Sequence, residues 1–161
     1  MLDIATGDGT LTHIALLSRR DEQADRIVSV DISDDMLEKA KKKLNKKTEF
    51  LKADVENLPF QTNSQTLITC FGGLNSFASG QRALIELGRI VSDSGFIRGS
   101  FLLMPKASWR QKLVRRWIEQ GYQTCELSLG LFEHWCAGAG LDITHLEQHG
   151  DVVLFELQKQ R

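Results

Sequence analysis

The stretch "LDIATGDGT", residues 2–10, decides how this chain is read. An apolar run carries one acid, Asp3, and then breaks into small residues with glycines at positions 7 and 9. That is the pattern of a buried strand running through a glycine turn into a helix. Such a turn lets the backbone come close to a ligand and offers it the N–H groups of a helix start.

The first candidate for the turn is the dinucleotide fingerprint G-x-G-x-x-G. The spacing does not fit. Counted from Gly7, the third glycine falls on Thr12; counted from Ala5, it falls on Thr10. An acid inside the strand, at Asp3, is also foreign to that site. A nicotinamide-dependent reductase is therefore the weakest of the readings carried here.

Working outward, short apolar runs alternate with helix-like segments. Leu11, Ile14, Ala15 and Leu17–Ser18 follow the turn at helical spacing. "RIVSVD" (26–31) is a β-branched strand ending in an acid. Ser33 is an N-cap, with Asp34 and Asp35 in the first turn of a helix expected through Lys46. "TEFLKAD" (48–54) and "TLITCF" (66–71) read as the third and fourth strands. "RALIELGRIV" (82–91) reads as a helix, "SDSG" (92–95) as the turn after it, and "FIRGSFLL" (96–103) as the fifth strand. Strands that alternate with helices predict an α/β fold with a doubly wound parallel sheet. Ligands in such folds bind at the carboxyl ends of the strands, where the glycine turn and both strand-ending acids fall.

The last third differs. "ASWRQKLVRRWIEQG" (107–121) reads as an amphipathic helix with Trp109, Leu113 and Trp117 on one face, and "LGLFEHWCAGAG" (129–140) as another helix. Two alternating runs, 141–147 and 152–158, flank a glycine turn and predict a closing hairpin. The whole is one expected domain, 1–161, with a seven-stranded, mostly parallel sheet and a C-terminal antiparallel hairpin.

Asp3-x-Ala5-x-Gly7-x-Gly9 resembles the first motif, D/E-x-G-x-G-x-G, of class I S-adenosylmethionine-dependent methyltransferases, Rossmann-like enzymes. Ala5 stands where the first glycine is usual, as in the ubiquinone and menaquinone C-methyltransferase branch that the chain resembles. "VDISDDMLEKAK" is similar to the second motif, "ADVENLPF" to the third, and "LIELGRIVSDSG" to the helix and turn before the fifth strand. The resemblance implies S-adenosyl-L-methionine as cofactor. Asp3, Ala5, Thr6, Gly7 and Gly9 would shape the methionine end. Asp31 would accept from the ribose hydroxyls, as a carboxylate can from a diol. Ile32, Met36 and Val55 would border adenine, Asp54 would take its amino group, and Phe71 would lie at the end of the fourth strand beside the cofactor.

The resemblance further implies methyl transfer to a small-molecule acceptor by displacement at the sulfonium methyl. The Asn-Pro-Pro-aromatic motif of amino-directed DNA methyltransferases is replaced by "CFGGLNSF" (70–77), which argues against exocyclic base amines. No catalytic base stands out. The family carries strand and helix residues ahead of the first motif, and here Met1 and Leu2 precede Asp3. Segment 104–128 is then the expected lid, with Asn75, Trp109 and Trp117 as candidate acceptor contacts. A non-catalytic cofactor-binding module is the alternative from another class.

Each residue also has a plainer reading. Asp31 and Asp54 could cap turns, Asp3 could be a buried acid satisfied locally, and Met36 could be core. The lysine-rich stretch 39–47 reads as a solvated helix face. The basic tryptophan helix is expected to pack on the domain with its arginines in water; membrane contact through 106–121 is its minor reading. His13, His134, His145 and His149 have no zinc spacing, and no metal is expected.

Composition limits the function classes. Hydrophobic residues make up 42% and charged residues 25% of 161, the balance of a soluble globular domain with one core. A net charge of -1 gives no overall field for a polyanion, which argues against nucleic acid. Cys70, Cys125 and Cys136 lack C-x-x-C spacing, fitting a reducing compartment. No signal peptide or membrane-length apolar run is read, so the expected location is cytoplasmic.

Overall fold

Each apolar run becomes a strand. The computed structural model describes residues 1–17, 26–44, 47–121 and 123–160. β1 (Leu2–Ile4), β2 (Ile27–Asp31), β3 (Thr48–Lys52), β4 (Gln65–Phe71) and β5 (Val91–Leu102) are parallel. β6 (Leu141–His149) and β7 (Val152–Lys159) form the hairpin, with β7 antiparallel to β5. The order across the sheet is β3-β2-β1-β4-β5-β7-β6. The chain winds outward from β1 to β3, then returns to lay β4 on the other side of β1. The gap between β1 and β4 is thus the point where strand order reverses, the place where folds of this kind bind ligands, at the carboxyl ends of the strands.

The helices are α1 (Thr10–Leu17), α2 (Asp34–Lys43), α3 (Gly80–Ile90), α4 (Ser108–Glu119) and α5 (Leu129–Gly138). Local chemistry fixes α2. The Ser33 hydroxyl accepts from the Met36 N–H at its start, Asp34 and Asp35 occupy the first turn, and Lys41, Lys42 and Lys43 the last. Both charge sets oppose the helix dipole favourably. Leu37 and Ala40 are its buried side, and the lysines face water as expected. Ser18 and Lys46, expected to continue α1 and α2, lie outside the described residues. α3 turns Ala83, Leu84, Leu87 and Ile90 onto the sheet and packs against α5. Phe132 of α5 sits 4.7 Å from the Phe101 ring and 5.0 Å from that of Phe155, fastening the hairpin to the body.

One expectation is corrected. "SDSG" (92–95) is not a turn between helix and strand; it lies within β5. Gln65 pairs with Val91 and Leu67 with Phe96, so the extra residues of β5 are accommodated as a bulge. The loop after β4 forms a 3-10 turn at Gly73–Asn75.

Candidate cofactor site

The turn after β1 has an unusual backbone. Ala5, Gly7 and Gly9 all have positive φ, at 54°, 56° and 77°. The two glycines serve different ends. A Cβ on Gly9 would meet Leu44 at 3.1 Å and Ala40 at 3.2 Å, so this glycine lets α2 pack closely. A Cβ on Gly7 would meet nothing within 4 Å; it faces open space. Ala5 is the departure from the family's glycine, and its left-handed backbone carries a side chain. A left-handed L-residue costs about 1–2 kcal/mol, against about 0.5–1 kcal/mol of extra chain entropy for glycine. Ala5→Gly should therefore leave thermal stability unchanged or raise it by up to about 1 kcal/mol, as checked by chemical denaturation.

The acid at the end of β2 is built into the same turn. The Gly7 N–H donates to Asp31 Oδ2 at 2.8 Å, and the Ser33 N–H to Oδ1 at 2.9 Å. Each oxygen keeps a lone pair, and the carboxylate is only half-buried. Beside it, Ile32 and Met36 leave apolar surface uncovered, Ile32 at 64% exposure. On the next loop, exposed Asp54 folds back to accept from the Glu56 N–H, and Val55 is buried beneath. That loop is pinned to α3. Glu56 accepts from the Ser79 N–H and Glu86 from the Leu58 N–H, while Arg89 donates to the carbonyls of Leu58 and Phe60. A carboxylate held by two backbone N–H groups, an apolar shelf and a second acid thus lie in sequence along the carboxyl edge.

Beneath the turn, Asp3 is buried. Thr12 donates to its Oδ2, and Thr69 to its Oδ1 at 2.7 Å; Thr6 lies 3.3 Å from the Thr12 hydroxyl. Burial pushes the Asp3 carboxyl above its usual range, and the threonine hydroxyls only partly oppose it. The folded-state value is therefore above the unfolded one. The charged group opposes folding at neutral pH, and that penalty fades as pH falls through the raised value. Asp3→Asn should unfold at an equal or higher temperature than the wild type at pH 7, and the difference should shrink or reverse towards pH 4. At the far end of the turn, Lys43 pairs with Asp8 and holds its carboxyl down at about 2.

A family model described as a methyltransferase domain matches residues 2–98, more than half of the chain. The chain belongs to the methyltransferase domain family. Its curated relatives include a demethylmenaquinone methyltransferase of Thermotoga maritima, 38% identical over 95 residues, which span 59% of this chain and 40% of the relative. A ubiquinone/menaquinone biosynthesis C-methyltransferase of Enterobacter is 34% identical over 100 residues, 59% of this chain and 39% of the relative. The match thus spans about two fifths of these relatives' length.

Solved structures extend the likeness over the whole fold. A putative methyltransferase of Bacillus halodurans has a TM-score of 0.79 at 14% identity, covering 99% of this chain and 92% of its own. An S-adenosylmethionine-dependent methyltransferase of Mesorhizobium loti has 0.78 at 17% identity, covering 98% and 89%. A [4+2]-cyclase has 0.75 at 16%, covering 99% and 74%. At such identities these structures speak for the fold alone.

In this methyltransferase fold, the turn residues Asp3, Ala5, Thr6, Gly7 and Gly9, with Asp31, Ile32, Met36, Asp54 and Val55, lie along the carboxyl ends of β1, β2 and β3, and Phe71 is half-buried at the end of β4. Thr12 and Thr69, which serve Asp3, were not singled out from the sequence. Register is the only signal for Thr69, which lies beside Asp3 across β1 and β4.

Asn75 has a different place from the one expected. It is buried, donates from Nδ2 to the Leu102 carbonyl at 2.9 Å, and accepts the Leu102 N–H on Oδ1 at 2.8 Å. Its own carbonyl accepts from the Thr124 N–H. An amide so occupied ties the backbone of Leu102 to the 3-10 turn. Trp109 and Trp117 are also not packed inward: with Leu113 they form an outward stripe on α4, and Val114 is the helix's buried residue. The arginines of α4 face water as expected, and the two tryptophans are exposed with them. Among the described residues, no three His, Cys, Asp or Glu side chains converge as metal ligands. No described helix is long and apolar enough to cross a membrane.

Proposed function

We propose that this chain binds S-adenosyl-L-methionine along the carboxyl edge and transfers its methyl group to a small-molecule acceptor by direct displacement. One observation carries the reading: the Asp31 carboxylate is hydrogen-bonded to the Gly7 N–H, and Gly7 faces open space. The acid and the turn are one prepared unit, as a nucleoside bearing an amino-acid arm requires. The residues present fit that cofactor. Asp31 would hold the ribose, Ile32 and Met36 would cover one side of adenine, Asp54 would take its amino group, and the turn over Asp3 would receive the methionine end. Bound there, the cofactor supplies an electrophilic methyl on sulfur.

The chain's own contribution is placement. Holding the acceptor in line with the methyl can lower the barrier by roughly 7–11 kcal/mol. The names of the curated relatives support a small-molecule acceptor. The segment after β5, residues 104–128, would border it, because its return arm is hydrogen-bonded to Asn75 and Phe77 at the same edge.

Calorimetry with S-adenosylmethionine, S-adenosylhomocysteine and NAD tests the reading. Binding of the first two and not the third is expected; NAD binding alone would overturn it. Because one fold hosts unrelated activities, the second reading is a cofactor-binding domain that does not transfer methyl groups. Tight cofactor binding with no methyl transfer to any acceptor in a panel of phenols, catechols and quinols would favour it.

A further inference from the structure

The side of α4 that should be inside is outside. Trp109, Leu113 and Trp117 recur every four residues and share one side of the helix. They are 65%, 45% and 43% exposed. The helix rests on the body through Val114, and a cavity of about 300 Å³, lined in part by Arg115, Ile118 and Thr124, lies beside its C-terminal half.

Its charge is equally one-sided. Residues 106–119 contain five bases and one acid, in a chain of net charge -1. Arg110 is spent on Asp151 and Arg115 on Glu126. Lys112 and Arg116, which lie together along one edge of the stripe by helical spacing, form no ion pair among the described residues. The acid, Glu119, is the last residue of the helix.

We propose that α4 is an interfacial helix that docks on an anionic bilayer. Trp109, Leu113 and Trp117 enter the boundary between headgroups and acyl chains, and Lys112 and Arg116 pair with lipid phosphates. Tryptophan suits that boundary because its ring is apolar and its N–H is polar. The basic side chains can keep their charge in the headgroup layer while their stems follow the apolar surface. The charge pattern selects this occupant over a second copy. Pairing two stripes about a two-fold axis would bring Lys112 and Arg116 of each copy into a shared basic seam, with no acid within the stripe to offset it. An anionic surface offers the complement at every position.

The test is co-sedimentation with vesicles of one part phosphatidylglycerol to two parts phosphatidylcholine, compared with pure phosphatidylcholine. The chain should partition onto the anionic vesicles, with a blue shift in tryptophan emission, and release at high salt. Lys112→Glu/Arg116→Glu should weaken partition by about tenfold or more, and Trp109→Ser/Trp117→Ser should do the same. Thermal unfolding checks the fold of each. If the tryptophan variant fails to fold, the charge-reversal variant, which alters exposed side chains only, decides alone. Failure to bind anionic vesicles, or equal binding by wild type and variants, overturns the proposal. So does a lipid-free dimer in sedimentation velocity that Trp109→Ser/Trp117→Ser abolishes, because the stripe then belongs to a second copy. None of these outcomes depends on methyl transfer.

Discussion

Gly7→Val should abolish binding of S-adenosylhomocysteine and leave a folded chain. The two effects separate because of where the new side chain goes. Nothing lies within 4 Å of a Cβ at this position, so the valine side chain starts into open space and fills the space in front of the turn. The backbone must hold a φ of 56°, which for an L-residue costs about 1–2 kcal/mol. A domain with about 5–15 kcal/mol of stability tolerates that. Gly9→Val is the contrasting variant. Its side chain would press on Leu44 and Ala40, so the loss should be in stability as α2 is pushed away. Calorimetry and thermal unfolding of the two variants give the comparison. Normal affinity in Gly7→Val would show that this turn is not the cofactor loop.

Asp31→Ala should weaken S-adenosylhomocysteine by about 1.5–3 kcal/mol, the range for hydrogen bonds to a charged group, or roughly ten- to hundredfold in affinity. Stability should change much less. The N–H groups of Gly7 and Ser33 that lose their acceptor lie at the open edge, where water can replace it. Asp31→Asn should not rescue binding. Its amide has one acceptor oxygen for two backbone N–H groups, and its NH₂ would face one of them, so the turn loses the carboxylate that orients it. Unchanged calorimetric affinity in Asp31→Ala would remove this residue from the site.

The part of this arrangement that could be read from sequence is the part made by neighbours in the chain. The glycine turn, the Ser33 cap and the acids after β2 and β3 are signals a few residues long, and alternation of strands with helices fixes their common edge. What could not be read depends on partners far apart. Thr69 reaches Asp3 across 66 positions, and only the pairing of β4 with β1 brings them together. Asn75 looked like a polar group free for an acceptor because its true partner is the backbone of Leu102, which has no signature in the sequence. The periodicity of α4 shows that its apolar residues share a side. It does not say which side faces the body, and Val114 rather than a tryptophan is the residue turned inward. "SDSG" has the composition of a turn, but Val91 still pairs with Gln65, so the sheet carries the irregularity inside a strand.

The bonding of Asn75 gives residues 103–123 the character of a replaceable cassette. One side chain fixes the exit from β5 at Leu102, and the carbonyl of the same residue fixes the re-entry at Thr124. Between these two stitches the chain can lengthen, shorten or change composition while both ends stay in register. The glycine turn and the two acids lie on other strands and take no part in the stitching. Grafting a different segment between Leu102 and Thr124 should therefore change what the protein meets at its outer edge and leave the Gly7–Asp31 unit as it was.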